Sequence, residues 1–408
     1  MSATRFALDW HAGPTAQIEL FDANGPRPNE GEEELYNLRF TPPFRATLRV
    51  PVERQPMARA DLEPISADLD RFVAAPGDRR ATTAAVEAQA PPPEPSELER
   101  MGMQLYQCTM PAHARADLRA EGLFLEIGVD ERLVDLPWEL MHDGEDFLCR
   151  KHYVGRYVNV GSRPIAAQAH EQWQPGTAMI EELSVLVISV PNPQPRADGT
   201  RFEPLPFAEA EALALMETLS GMDGVKLTML SGRQATRNNV WQALQQGHHI
   251  VHYTGHAHFN RANPRQSALV LDDQDLAAAP VVSFFGARPP LLFFMNACET
   301  GAAPAWQDRY DFYGLAWAFL ETGGYLLGSC WKVNDEVAKD FAVSFYETLL
   351  SSGDTIGAAV TRAREAAFRD DDFGWASYVL YGDPRLAFRR QRRRGRFMRP
   401  GAQAARRS

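Results

Sequence analysis

The sequence predicts an α/β fold, a three-layer sandwich of helices around a mostly parallel central sheet, with a smaller N-terminal region rich in strand and helix. Two observations carry this. From Leu183 onward, short apolar segments alternate with longer ones whose apolar residues recur at helical spacing. The short segments, such as Ile250-Val251-His252-Tyr253 and Leu291-Leu292-Phe293-Phe294-Met295, are apolar on both faces, as strands covered by helices on either side must be.

In residues 1–73, Gln17–Phe21 and Arg45–Val50 alternate apolar and polar side chains between Pro/Gly/Asn turns, which predicts a small, mostly β region, with a helix over Ala67–Val73. Residues 74–95, rich in Ala and Pro (Pro91-Pro92-Pro93-Glu94-Pro95), cannot pack and are expected to be an exposed linker. Ser96 with Glu99 three positions on forms a capping box and starts a helix that runs to about Met110. Leu123–Val129, the turn Asp130-Glu131-Arg132 and Leu133–Leu140 predict a hairpin, and the whole segment 96–182 is expected to brace the main domain.

That domain is placed at 183–388. Strand Ser184–Val190 leads to helix Phe207–Leu219, and strand Val225–Leu230 to helix Thr236–Gln246, with Thr236 as its N-cap. Then come strand His249–Tyr253, a short pair around Ala268–Leu271, strand Leu291–Met295, helix Tyr310–Glu321 and strand Tyr325–Ser329. Helices Asp335–Leu350 and Thr355–Arg369 and strand Ser377–Tyr381 close the domain. Residues 389–408 carry nine arginines and no carboxylate. They read either as a disordered solubilising tail or as an arm for RNA, DNA or an acidic partner.

Composition narrows the function classes. A chain of 408 residues that is 45% hydrophobic and 23% charged can bury a sizeable core without staples. Four irregularly spaced cysteines, none in a CxxC pair, signal neither a disulfide framework nor a zinc site, and fit a reducing cytoplasm. The N-terminus lacks the apolar stretch of a signal peptide, and the apolar runs are too short to span a bilayer, so no membrane partner is expected. Without the tail arginines the body carries 33 basic against 53 acidic side chains, which argues against general nucleic-acid binding by the folded part. No GxxxxGK[ST] loop is present, and no cofactor is expected.

The chemistry concentrates at two strand ends. One apolar strand delivers Gly255-His256, and another delivers Cys298 followed by Glu299-Thr300-Gly301. A thiol and an imidazole, each at the carboxyl end of a parallel strand and followed by loop, are what a cysteine nucleophile and its base require. Taken alone, Cys298 reads equally as a nucleophile or a buried core thiol. Cys149 and Cys330 read as structural. His248, His249, His252, His256 and His258 invite a metal reading. On a strand, however, His252 and His256 do not share a helical face, and no Glu lies within the cluster, so no metal is assigned. The backbone amides of Ala257 and Cys298 are candidate oxyanion donors.

The motifs Leu136-Pro137-Trp138-Glu139-Leu140, Tyr253-Thr254-Gly255-His256, Asn296-Ala297-Cys298-Glu299-Thr300-Gly301, Trp331-Lys332-Val333-Asn334-Asp335 and Tyr381-Gly382-Asp383-Pro384 occur in this order. Together they resemble the CHAT family of caspase-like, separase-related cysteine peptidases. The resemblance implies a caspase-hemoglobinase fold, His256 and Cys298 as a catalytic dyad, and regulated limited proteolysis of a protein substrate, often in bacterial defence or cell death. It also implies an activating protein or ligand. The family usually carries Gly after the catalytic His, where this chain has Ala257; a position requiring φ > 0 would strain an alanine.

Asp335 matches the place of an acidic residue that binds a basic side chain before the cut bond in separase-like relatives, and it reads equally as the cap of its helix. Asp272 and Asp273 are further substrate-binding candidates. Arg79-Arg80 and the arginine tail would then be self-cleavage sites. The alternatives to a peptidase are a catalytically weak scaffold for protein binding and a metal-dependent hydrolase built on the histidine cluster.

Overall fold

The computed structural model describes residues 4–22, 35–43, 57–74, 96–160, 163–164, 179–258, 266–277, 289–299, 320, 323–331, 333–369 and 373–392. Its N-terminal part comprises β1 (Thr4–Trp10), β2 (Thr15–Asp22), β3 (Leu35–Thr41), β4 (Met57–Ala58) and α1 (Arg59–Ala74). Next come α2 (Glu97–Thr109), α3 (Ala112–Asp117), β5 (Phe124–Asp130), α4 (Leu148–Lys151), β6 (Tyr153–Val160), β7 (Arg163–Pro164) and β8 (Met179–Ile180). The alternating part consists of β9 (Leu183–Ser189), α5 (Pro206–Ser220), β10 (Val225–Ser231), α6 (Arg237–Gln245), β11 (Ile250–His258), β12 (Ala268–Val270), β13 (Asp275–Ala277) and β14 (Leu292–Glu299). Last are β15 (Tyr325–Ser329), α7 (Asp335–Tyr346), α8 (Ile356–Ala367), β16 (Tyr378–Tyr381) and β17 (Leu386–Arg392).

Among the described residues, fourteen strands form one sheet whose main path runs β10-β9-β11-β14-β15-β16-β6-β5-β2-β3-β4. From β10 to β15 every pairing is parallel, as the doubly apolar strands predict. β16 then enters antiparallel to β15 and meets β6 in parallel at a single register pair, Tyr381↔Arg156. Beyond that seam β6, β5 and β2 are parallel, so the N-terminal strands extend the same sheet. A second sheet of three strands, β17-β1-β8, is antiparallel. Eight of the nine residues of β11 are buried, and Leu292–Ala297 of β14 are buried throughout. The mixed α/β sandwich around a mostly parallel sheet is therefore the architecture of the chain.

Several local expectations hold to within a residue. Ser96 accepts from Glu99 N while the Glu99 side chain reaches the Ser96 amide, a complete capping box at the start of α2. Thr236 accepts from Asn239 N at the head of α6. β10 and β15 begin at the expected residues.

Others need correction. The segment Leu133–Leu140 does not return as a hairpin strand. It coils into two 3₁₀ turns, Glu131–Leu133 and Trp138–Leu140, and β5 pairs instead with β2 and β6. The reason is burial: Leu133, Leu136 and Trp138 all point inward, and the Trp138 indole N–H donates to Leu133 O at 2.8 Å. The helix expected over Ala67–Val73 is the second half of a longer α1. The helix expected to run to Leu350 changes to a π turn at Glu347–Ser352 before Gly353 takes a left-handed φ of 68°. Arg389–Arg392 of the expected tail are the end of β17, with Arg389 opposite Ala7 and its guanidinium 2.5 Å from Asp9. Arg45–Val50, Arg79-Arg80, Tyr310–Phe319 and residues 393–408 lie outside the described residues.

Burial also gives the fold a titratable element. His152 is fully buried, with Nε2 3.1 Å from Leu118 O and Nδ1 lacking a hydrogen-bond partner, and burial pushes its pKa down to about 4. The unfolded chain takes up this proton near the ordinary value of about 6.5, the folded chain only near 4. The stability it contributes is present above the higher value and is lost as pH falls between the two, by up to about 3 kcal/mol. Urea midpoints from pH 7 to 4 should fall accordingly. The decline should be shallower in His152→Gln, whose amide can still donate to Leu118 O.

Candidate active site

β11 and β14 lie side by side, parallel and in register from Ile250↔Leu292 to Ala257↔Glu299. Within that ladder His256 stands opposite Cys298, and Thr254 opposite Asn296. Paired positions on neighbouring strands share a sheet face and are separated by about 5 Å, so the backbone brings the two predicted residues together. Both lie at the carboxyl ends of their strands, as expected, but the strands run further than the expected His249–Tyr253 and Leu291–Met295 and include them.

The extension of β11 has local causes. β12 pairs with it antiparallel at Ala257↔Leu269 and His258↔Ala268. The Tyr253 hydroxyl lies 2.5 Å from His256 O and 2.8 Å from Val270 O, tying the extension to the hairpin. A Cβ at Gly255 would come within 2.7 Å of that same hydroxyl, so glycine is required there. Ala257 is a buried strand residue, and an extended backbone suits alanine; the strain anticipated for a positive φ does not arise.

His256 is buried under the segment that comes after β9. Its Nε2 is 2.7 Å from Glu203 O, and the Phe202 ring lies 5.8 Å from the imidazole. A carbonyl can only accept, so the contact assigns the Nε2–H tautomer and leaves Nδ1 with the lone pair. Arg196 braces this segment. Its guanidinium donates to Leu271 O at 2.8 Å, Asp272 O at 3.2 Å and Asp275 Oδ1 at 2.8 Å, and it lies 4.7 Å from the Phe202 ring centroid. Glu203 was not legible in the sequence, because the group that matters is a main-chain carbonyl and carries no residue signature.

The substrate-binding candidates occupy three different settings. Asp272 is buried in the turn between β12 and β13, where Oδ2 accepts from Gln194 Nε2 at 2.6 Å and Oδ1 lies 3.6 Å from Arg233. Asp273 accepts from Arg237 N at 2.8 Å at the head of α6. Both therefore hold local structure. Asp335 is the first residue of α7, but Asn334 is the cap, accepting from Glu336 N at 2.9 Å.

The five histidines disperse. His249 Nδ1 accepts from Ser184 N at 3.1 Å, His252 points into a buried polar cluster, and His258 pairs with Asp275 at 3.4 Å. Among the described residues no group of three His, Cys, Asp or Glu side chains is arranged to hold a metal ion. Cys149 is fully buried, which pushes its thiol up to about 11, and Cys330 is half-buried at the end of β15.

On the Glu211 side of the sheet lies the buried polar cluster. Glu211 of α5 accepts from His252 Nε2 at 3.0 Å and Asn296 Nδ2 at 2.9 Å through Oε1, and from the Thr254 hydroxyl at 2.8 Å through Oε2. Tyr346 of α7 is 3.2 Å from His252 Nδ1, and Tyr378 of β16 donates to Asn296 Oδ1 at 2.9 Å.

The sheet and the helices that cover it define a mixed α/β protein with a large, mostly parallel central sheet. The sequence matches the CHAT domain over residues 99–383, and the chain belongs to the CHAT family. Among solved structures it is similar to the Arg-specific cysteine proteinase gingipain R, at 15% identity and a TM-score of 0.46, over 72% of this chain and 68% of that one. It is also similar to the complex of pro- and mature domains of RgpB from Porphyromonas gingivalis, at 13% identity and a TM-score of 0.45, over 81% and 78%. The separase–securin complex of Saccharomyces cerevisiae matches at 14% identity and a TM-score of 0.41, over 64% of this chain but 15% of that one. Among curated proteins no sequence match was found. Among the described residues no helix is long and apolar enough to cross a membrane.

Proposed function

We propose that this chain is a cysteine endopeptidase that performs limited proteolysis of a protein partner, with Cys298 as nucleophile and His256 as its base. The observation that carries the reading is the register of β11 on β14, which sets His256 opposite Cys298, together with the carbonyl that fixes the imidazole. Nδ1 of His256 accepts the thiol proton as sulfur attacks the scissile carbonyl, and the resulting imidazolium returns the proton to the leaving amine. Water then hydrolyses the thioester, and the His256/Cys298 pair is restored. Glu203 O holds the imidazole by Nε2–H, the part a carboxylate plays in a triad. The amides of Ala257 and Cys298 are the candidate oxyanion donors. Asp335 is the candidate for receiving a basic side chain before the cut bond; Asp272 and Asp273 are left to bracing.

The cysteine pattern supports a cytoplasmic setting, and the resemblance supports control by an activating protein or ligand and a role in bacterial defence or regulated cell death. The deciding experiment is labelling with an electrophilic peptide probe ending in Arg or Lys. Modification of Cys298 in the wild type and its loss in His256→Ala are the expected results. Equal labelling of both, or labelling at Cys149 or Cys330, would favour a non-catalytic binding scaffold instead.

Arg196→Ala should loosen the Phe202–Glu203 segment and slow probe labelling of Cys298 roughly 10-fold or more, because small misplacements of a catalytic group cost heavily. A rate equal to that of the wild type would remove the segment from the mechanism.

A further inference from the structure

We propose that Glu211 is a positioning residue for the dyad, its buried carboxylate setting the pH window in which the His256/Cys298 pair is charged. The proposal rests on the reading of that pair as the catalytic dyad. Glu211 is 2% exposed. Its three partners, a hydroxyl, an amide and an imidazole, come from both strands that carry the pair. Thr254 and Asn296 are themselves register partners and precede His256 and Cys298 by two residues on their strands, which is about 7 Å. One carboxylate thus stitches β11 to β14 one pleat below the pair, on the same face of the sheet.

Among the described residues, the carboxylate's polar partners include no Lys or Arg. Burial, and Glu211 itself, raise the Tyr346 phenol well above its ordinary value, so it remains an O–H donor toward His252 Nδ1. That leaves His252 Nε2–H to donate to Glu211. Tyr378 reaches the cluster through Asn296. The other titratable or charged groups around His256 are Tyr253 and His258 on β11, Asp272, Asp273 and Asp275 on the hairpin, and Arg196 and Glu203 after β9. Arg196 and His258 both pair with Asp275. Among the described residues no fixed cation pairs with the Glu211 carboxylate, which lies on the face that carries the dyad.

A negative charge on the same face makes the Cys298 thiol harder to deprotonate and the His256 imidazolium harder to deprotonate in turn. It moves the whole window of the thiolate–imidazolium pair toward higher pH, by roughly one to two units for a charge about 7–12 Å away at an effective dielectric near 20. Glu211→Gln keeps the shape and most of the hydrogen bonds while removing the charge.

The test is the rate of iodoacetamide alkylation at Cys298 against pH, followed by peptide mapping, on the full chain. In Glu211→Gln the acid-side midpoint should move down by roughly one to two pH units, and in Glu211→Asp, which restores the charge, it should return toward the wild type. A purely structural role predicts a lower unfolding temperature with an unmoved midpoint, and that result would overturn the proposal. If the glutamine amide is not tolerated, Glu211→Met removes the charge with a flexible apolar chain and must show the same acid shift. Failure of the dyad reading looks different: wild type and His256→Ala would then share one midpoint in the ordinary thiol range.

Discussion

Cys298→Ala is expected to abolish cleavage of a peptide bearing Arg or Lys before the cut bond, and His256→Ala to slow it by about 10²- to 10⁴-fold, the usual contribution of a positioned acid–base group. The two losses should not add. Without the sulfur there is no thioester to form, and an imidazole alone gains nothing from its place opposite position 298, so the double variant should match Cys298→Ala. Cys298→Ala removes one sulfur and should unfold near the wild-type temperature, whereas His256→Ala also loses the buried ring and its bond to Glu203 O and should unfold somewhat lower while remaining folded at the assay temperature. Turnover of a fluorogenic peptide by the single and double variants, alongside their thermal unfolding, checks this. Full turnover by Cys298→Ala would end the peptidase reading.

The largest expected effect on stability lies elsewhere, at Glu139. Its carboxylate holds Arg156 through two contacts, Nε to Oε1 at 2.5 Å and Nη2 to Oε2, and both side chains are almost completely buried. Burial works against the charge on Arg156, but Glu139 outweighs it and holds the guanidinium above its ordinary pKa. The same guanidinium donates to Val134 O at 3.0 Å and Leu136 O at 2.8 Å, which fixes the coiled segment that replaces the expected hairpin. Glu139→Ala leaves that cation buried without its counter-ion, and the loss should be about 3–5 kcal/mol, read as a fall in the urea midpoint. Replacing both partners with apolar side chains of similar volume should cost much less.

The pair also shows why parts of the fold were hard to read. Strands β9, β11, β14 and β15 announce themselves because both faces are apolar, β10 by its alternation at the sheet edge, and α2 and α6 because Ser96 and Thr236 are N-caps. β6 is a central strand too, yet its text, Tyr153-Val154-Gly155-Arg156-Tyr157-Val158-Asn159-Val160, places an arginine at a core position. Only the carboxylate of Glu139, seventeen residues earlier, makes that position tolerable, and no local pattern reports such a partner. β17 was obscured in the same way, since an arginine run reads as a tail until β1 is laid beside it.

The site divides along similar lines. His256 and Cys298 were legible because each closes an apolar strand, although the ladder carries both strands further than their apolar runs suggested. Glu203 and Glu211 were not. One acts through its carbonyl, and the other, on α5, looks like any charged residue of a surface helix until the sheet places Thr254 and Asn296 against it. Asp272 stood out in the sequence as a substrate-binding candidate, but folding turned it inward to Gln194.

The joint between β16 and β6 has a mechanical consequence. Backbone rungs there amount to one register pair, Tyr381↔Arg156, with Gly382 N donating to Arg156 O at 2.8 Å. Gly382 O and Pro384 press so closely on Gly155 that no side chain could stand between them. Force applied across the broad sheet would find its weakest backbone crossing at this line, where, among the described residues, a single rung shares the load with the packing of Gly382 and Pro384 on Gly155.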